Sequence, residues 1–164
     1  MSKPFILFIL AAVILSCKEK SEYTQGDWII GTEQEKLETT ERHFRGFDLA
    51  MMEVGHRYQE LYWAGLDANW VYAGYQIDKI ELAIQNGLEK RPLRTASAQH
   101  FMETAIPEMK KTIDRQDTEI FRRGFQIFTV QCNACHAKEN VPHFNVRIPK
   151  LNLSPIGLEI FDEH

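Results

Sequence analysis

Cys132, Cys135 and His136, in the order Cys-Asn-Ala-Cys-His, are the residues of this chain best suited to chemistry. Two thiols three positions apart, with a histidine directly after the second, match the attachment sequence of a c-type haem. In that chemistry each sulfur forms a thioether bond to a porphyrin vinyl group, and the imidazole reaches the iron from the proximal side. A helix would set both thiols on one face, within reach of one edge of the macrocycle. Two other chemistries use such a pair. A zinc site takes four ligands and normally a second pair, and Cys17 is the only other cysteine. A thioredoxin-like redox pair belongs among alternating strands and helices, a pattern this chain lacks. The motif points first to one covalent haem c, held by Cys132 and Cys135 with His136 as axial ligand, and leaves zinc or a chance occurrence as the alternatives.

The amino terminus reads as an export signal. Lys3 supplies a positive start, and Phe5 to Leu15 form an apolar core too short to span a bilayer. Ile14-Leu15-Ser16-Cys17 then resembles a bacterial lipobox. In that reading residues 1–16 are a signal peptide and Cys17 carries lipid, which would hold the mature chain at a membrane without a spanning helix. The alternative is an ordinary signal or a short anchor with Cys17 a bystander. Export fits the motif, because bacteria attach haem covalently outside the cytoplasm. That compartment is oxidising, yet only Cys132 and Cys135 remain as free thiols in the mature chain, which argues against a disulfide-stapled fold.

The elements that must position the motif are helical. Residues 17–41 are polar and read as a lipidated terminus and flexible tether; Asp27 to Gly31 interrupt it with a short segment that could dock on the domain. From His43 onward, Phe47, Met51, Val54, Tyr58, Leu61 and Gly65 recur at three- and four-residue steps, the stripe of an amphipathic helix. Asn69 can cap a second helix, with Trp70, Ala73, Ile77, Ile80 and Ile84 on its stripe. Gly87 and Pro92 mark its end. A third runs from about Ser97 to Arg115, with Pro107 predicting a kink or a restart. The fourth starts near Asp117 and lays Phe121, Phe125, Phe128, Cys132 and Cys135 along one face. The fold class is therefore all-α: an antiparallel four-helix bundle over residues 42–140, with the haem on its last helix and an irregular tail over 141–164. The chain of 164 residues has a formal net charge of −4 and no basic run or lysine-rich arm, so nucleic acid is not an expected partner.

With the Cys-Asn-Ala-Cys-His motif near the end of a fourth bundle helix, residues 43–140 resemble the class II c-type cytochromes, the cytochrome c′ and cytochrome c-556 group. A class I cytochrome needs a methionine far downstream of its motif, and no methionine follows His136. The resemblance implies haem bound through Cys132 and Cys135, His136 as proximal ligand, and a sixth ligand from a methionine of the first helix. It also implies that the first two helices could pair as a homodimer.

The sixth ligand decides the function. Met51 lies on the buried stripe of the first helix, and Met52 points about a hundred degrees away. Met51 is the first candidate for the distal axial position and Met52 the alternative; both could instead be soft core filler. His56 is a weaker competitor, and His43, His100, His143 and His164 stand near helix beginnings or in the tail. A thioether opposite the imidazole raises the potential and suits electron transfer. The expected function is thus a monohaem cytochrome, not an enzyme, exchanging electrons with redox donor and acceptor proteins at the periplasmic or outer-membrane face. An apolar distal side would instead leave a five-coordinate iron that binds or scavenges a small gas such as nitric oxide or carbon monoxide. Peroxidase activity would want a distal base, and no arrangement of that kind is visible in the sequence.

Overall fold

Thr32 shows how local chemistry starts the first helix in the computed structural model, which describes residues 28–157. Its hydroxyl accepts the Glu35 N–H at 3.3 Å, and the Glu35 carboxylate accepts the Thr32 N–H at 2.7 Å, a capping box. Helix α1, Glu33–His43, follows, with Lys36 donating to Glu33 and Gln34 to Glu38, each at 2.9 Å. The tether expected over 17–41 is therefore helical from Glu33 onward. Its polar composition hid these local pairs, and no residue of α1 is buried. The Trp28 ring stands 4.5 Å from that of His43, edge to face. The described residues fall into two units, one ending at Phe44 and the other starting at Arg45. Residues 1–27, with the expected signal peptide and Cys17, and residues 158–164 lie outside the described residues.

The second unit carries the expected four helical elements. Helix α2 spans Phe47–Leu66 and α3 spans Trp70–Lys90. The third element is composite: α4, Thr95–His100, a π-helical turn, Phe101–Ala105, and α5, Ile106–Asp114. Helix α6, Thr118–Lys138, is the fourth. Neighbours pack in a closed ring, α2 on α3, α3 on α5, α5 on α6 and α6 back on α2. The connection Asp67–Asn69 is short, so α2 and α3 lie antiparallel. Among the described residues there is no strand.

Each helix end has a readable cause. The Asn69 side chain accepts the Tyr72 N–H at 3.2 Å, and Asp117 accepts the Ile120 N–H at 2.8 Å. Pro107 sits in the first turn of α5, where its missing N–H is tolerated, and the π turn directly before it supplies the restart. Gly87 is not the terminator the sequence led us to expect, because α3 runs on to Lys90. Gly87 is buried, and a Cβ there would lie 2.9 Å from Cδ2 of the Phe47 ring and from Ala50 Cβ. It lets α2 approach α3. Gly65 does the same for α6: its Cβ would meet the Phe121 ring at 2.2 Å.

The core is aromatic along α6. Phe121 and Phe125 are fully buried, and Phe125 meets Tyr58 at 4.6 Å and Tyr62 at 4.8 Å. Phe128 continues the run and meets Phe101 at 5.1 Å. The α2 stripe divides in two. Tyr58, Leu61 and Gly65 are buried, whereas Phe47, Met51 and Val54 are only partly so. That first half of α2 packs against the core on one side and lines a cavity on the other.

Candidate functional site

The α6 stripe leads from the core into that cavity. Phe121, Phe125 and Phe128 are core, Cys132 is buried at its edge, and Cys135 is half-buried one turn on. Because the helix repeats every 3.6 residues, the two thiols share the wall that the phenylalanines prepared. Cys132, Cys135 and His136 all line a cavity of about 560 Å³. This lies within the range of roughly 300–1,000 Å³ typical of cofactor sites. The first half of α2 supplies another wall, and Met51 and Met52 both line it with Phe47 and Val54. Ala98 and Phe101, at the join between α4 and the π turn, add apolar surface. The five residues picked out by sequence are therefore brought to one site.

His136 is held by the tail. Its Nδ1 lies 2.6 Å from the backbone carbonyl oxygen of Phe144. A carbonyl only accepts, so Nδ1 carries the proton and donates. In the neutral ring Nε2 then keeps its lone pair free for a metal. Burial pushes the Cys132 thiol up to about 12, and the neighbouring Cys135 adds to the effect. Burial raises Cys135 as well, against the pull of Lys138 and Arg94. Its sulfur sits 3.8 Å from the Ser97 carbonyl oxygen. Neither thiol is in a disulfide.

Three features of the site had little sequence signal. Arg94 forms an ion pair with Glu139 at the cavity rim, and Ser97 donates to the same carboxylate. The Arg94 guanidinium also lies over the Phe47 ring, 5.5 Å from its centroid. Long-range pairs between a short helical turn, Pro92–Arg94, and the end of α6 leave no periodic trace. The Phe144 carbonyl had no signal at all, since every residue carries one. Tyr58, read only as core, donates toward the Arg147 carbonyl at 3.3 Å and pairs with the Thr129 hydroxyl at 2.7 Å.

The competing histidines lie elsewhere. His56, His100 and His143 are exposed and do not line the cavity. His43 closes α1 just before α2 begins, and His100 lies early in the third element, at the end of α4. His164 is outside the described residues. No group of three or more His, Cys, Asp and Glu side chains placed to hold a metal ion occurs among the described residues, whereas a structural zinc takes four donors. No helix among them is long and apolar enough to cross a membrane. A flat apolar cofactor held by two sulfurs and one imidazole does fit the residues present: an apolar cavity, two thiols on one wall and a ring nitrogen free to ligate. No family model, no curated protein and no solved structure matches the chain.

Proposed function

We propose that this chain is a monohaem c-type cytochrome of the class II kind, passing electrons between redox proteins. The observation that carries the reading is the convergence of Cys132, Cys135, His136 and two methionines on one apolar cavity. Haem, when bound there, supplies one-electron chemistry at its iron. Cys132 and Cys135 would hold it through thioethers, and His136 Nε2 would be the proximal ligand. The Phe144 carbonyl fixes the imidazole's tautomer and orients its ring. Met51 would be the distal ligand and Met52 its alternative. A filled coordination sphere needs little rearrangement between oxidation states, which suits electron transfer. Phe47, Val54 and Phe101 line the site and would cover apolar surface of the bound group.

A carrier is favoured over a peroxidase because, among the described residues, His136 alone of the histidines lines the cavity, leaving no distal imidazole base. A second reading, the binding of a small gas, applies if neither methionine ligates: Phe47 and Val54, the neighbouring cavity-lining residues of α2, are apolar and would leave an iron five-coordinate. We place the protein outside the cytoplasm, tied to the periplasmic or outer membrane through lipid on Cys17, on the strength of the signal and lipobox pattern.

Spectra of the matured protein in both oxidation states test the proposal. Expected is a low-spin, six-coordinate ferrous spectrum that does not change on adding carbon monoxide. A high-spin five-coordinate spectrum that shifts with carbon monoxide would replace electron transfer by gas binding. A colourless protein whose mass is that of its amino acids alone, made in a host able to assemble cytochromes, would end both readings.

A further inference from the structure

We infer that Asn133, the residue between the two thiols, is a positioning residue for His136 and acts through the C-terminal tail; the inference rests on reading His136 as an iron ligand. The Asn133 side chain closes two hydrogen bonds with one tail residue. Its Nδ2 donates to the Val146 carbonyl at 3.0 Å, and its Oδ1 accepts the Val146 N–H at 2.7 Å. This is the pairing that one strand residue offers another, made here by a side-chain amide. Two residues earlier in the tail, the Phe144 carbonyl accepts His136 Nδ1–H. Asn133 and His136 are three apart on α6 and so adjacent on its surface. One turn of helix thus grips the Phe144–Val146 segment at both ends.

Phe144 is 62% exposed, so its own burial does little to hold that carbonyl in place. Backbone on either side of it holds it. The Phe144 N–H donates to the Val141 carbonyl at 3.0 Å, and Val146 is held by Asn133. Further along, the tail is pinned independently. Trp63 Nε1–H donates to the Leu151 carbonyl at 3.1 Å, and the Ser154 hydroxyl donates to Glu60 at 2.5 Å. Nearer the site, Val146 packs against the core and Tyr58 donates toward the Arg147 carbonyl; the Asn133 pair adds hydrogen bonds to both backbone polar groups of Val146, two residues from the acceptor for the imidazole. A carbonyl accepting from Nδ1 strengthens Nε2 as a donor to iron and so would steady the ferric state; Asn133 thus tunes the potential without touching the iron.

The test compares Asn133→Ala with the unmutated, haem-bearing protein. Expected are a higher reduction potential and about tenfold faster solvent exchange of the His136 Nδ1 proton by NMR, the loss of one hydrogen bond of ordinary strength. Ser154→Ala breaks a far pin and should move neither reading. A haem-bearing Asn133→Ala protein with unchanged potential and exchange overturns the inference. Should that variant fail to accumulate, Asn133→Leu, of similar size, removes both hydrogen bonds to Val146 without opening a gap. It should give the same two shifts, and their absence overturns the inference equally. If the unmutated protein carries no haem, it is the proposed function that fails. Ring nitrogen shifts of the haem-free chain then judge the clamp alone: Nδ1–H tautomer in the unmutated chain, a mixture in Asn133→Ala, with identical spectra counting against it.

Discussion

Met51 and Met52 sit side by side in sequence but not in the fold. Met51 packs against the core, whereas Met52 is 63% exposed although it reaches the cavity. A distal thioether must hold one position through each electron exchange, and packing is what holds it. Met51→Ala should therefore turn a six-coordinate spectrum five-coordinate, while Met52→Ala leaves it unchanged. Two unchanged spectra would exclude methionine ligation. Cys132 yields a pH prediction. With its thiol free, the folded chain keeps the proton up to about 12, while an unfolded thiol releases it near 8.5. The folded state thus binds more protons in that window, and stability falls as pH rises through it. Urea midpoints of the haem-free chain should decline from about pH 8.5 upward, less steeply in Cys132→Ala. At this scale the thiols and the imidazole were legible because their spacing is a chemical pattern. The Phe144 carbonyl and the Arg94–Glu139 pair were not, since folding alone brings them to the motif.

Among the elements, the apolar stripes predicted α2, α3 and α6 well, because a 3.6-residue period survives in any sequence that buries one face. Starts were legible at Asn69 and Asp117, whose side chains do cap. Gly87 misled because glycine marks both helix ends and close helix contacts, and sequence does not separate the two uses. The break at Pro107 was expected, but not its form as a π turn, which depends on how Phe101 and Ile106 both reach the core. Gly65 offers the sharpest check of packing between elements. Gly65→Ala would drive a methyl group into the Phe121 ring. The resulting overpacking should cost about 1–3 kcal/mol by denaturant unfolding, despite the better helix propensity of alanine. A variant as stable as the parent would mean that α2 and α6 are not so close.

On the scale of the whole molecule, the all-α architecture followed from composition and period, while the cavity did not. The stripes of α2 and α6 continue unbroken from core to site, so nothing in the sequence says where packed side chains stop. Location is tested through Cys17, which is outside the described residues. Cys17→Ser should move the protein from the membrane to the soluble fraction of fractionated cells, and continued membrane association would refute the lipid anchor. The bundle is solid around Phe121 and Phe125 and hollow around Cys135. A single rod that bridges such unequal surroundings cannot have one opening energy. Backbone amide protons in the middle of α6 should trade for deuterium only when the entire domain melts, and those in its final turns far sooner, until something fills the hollow and evens the two rates.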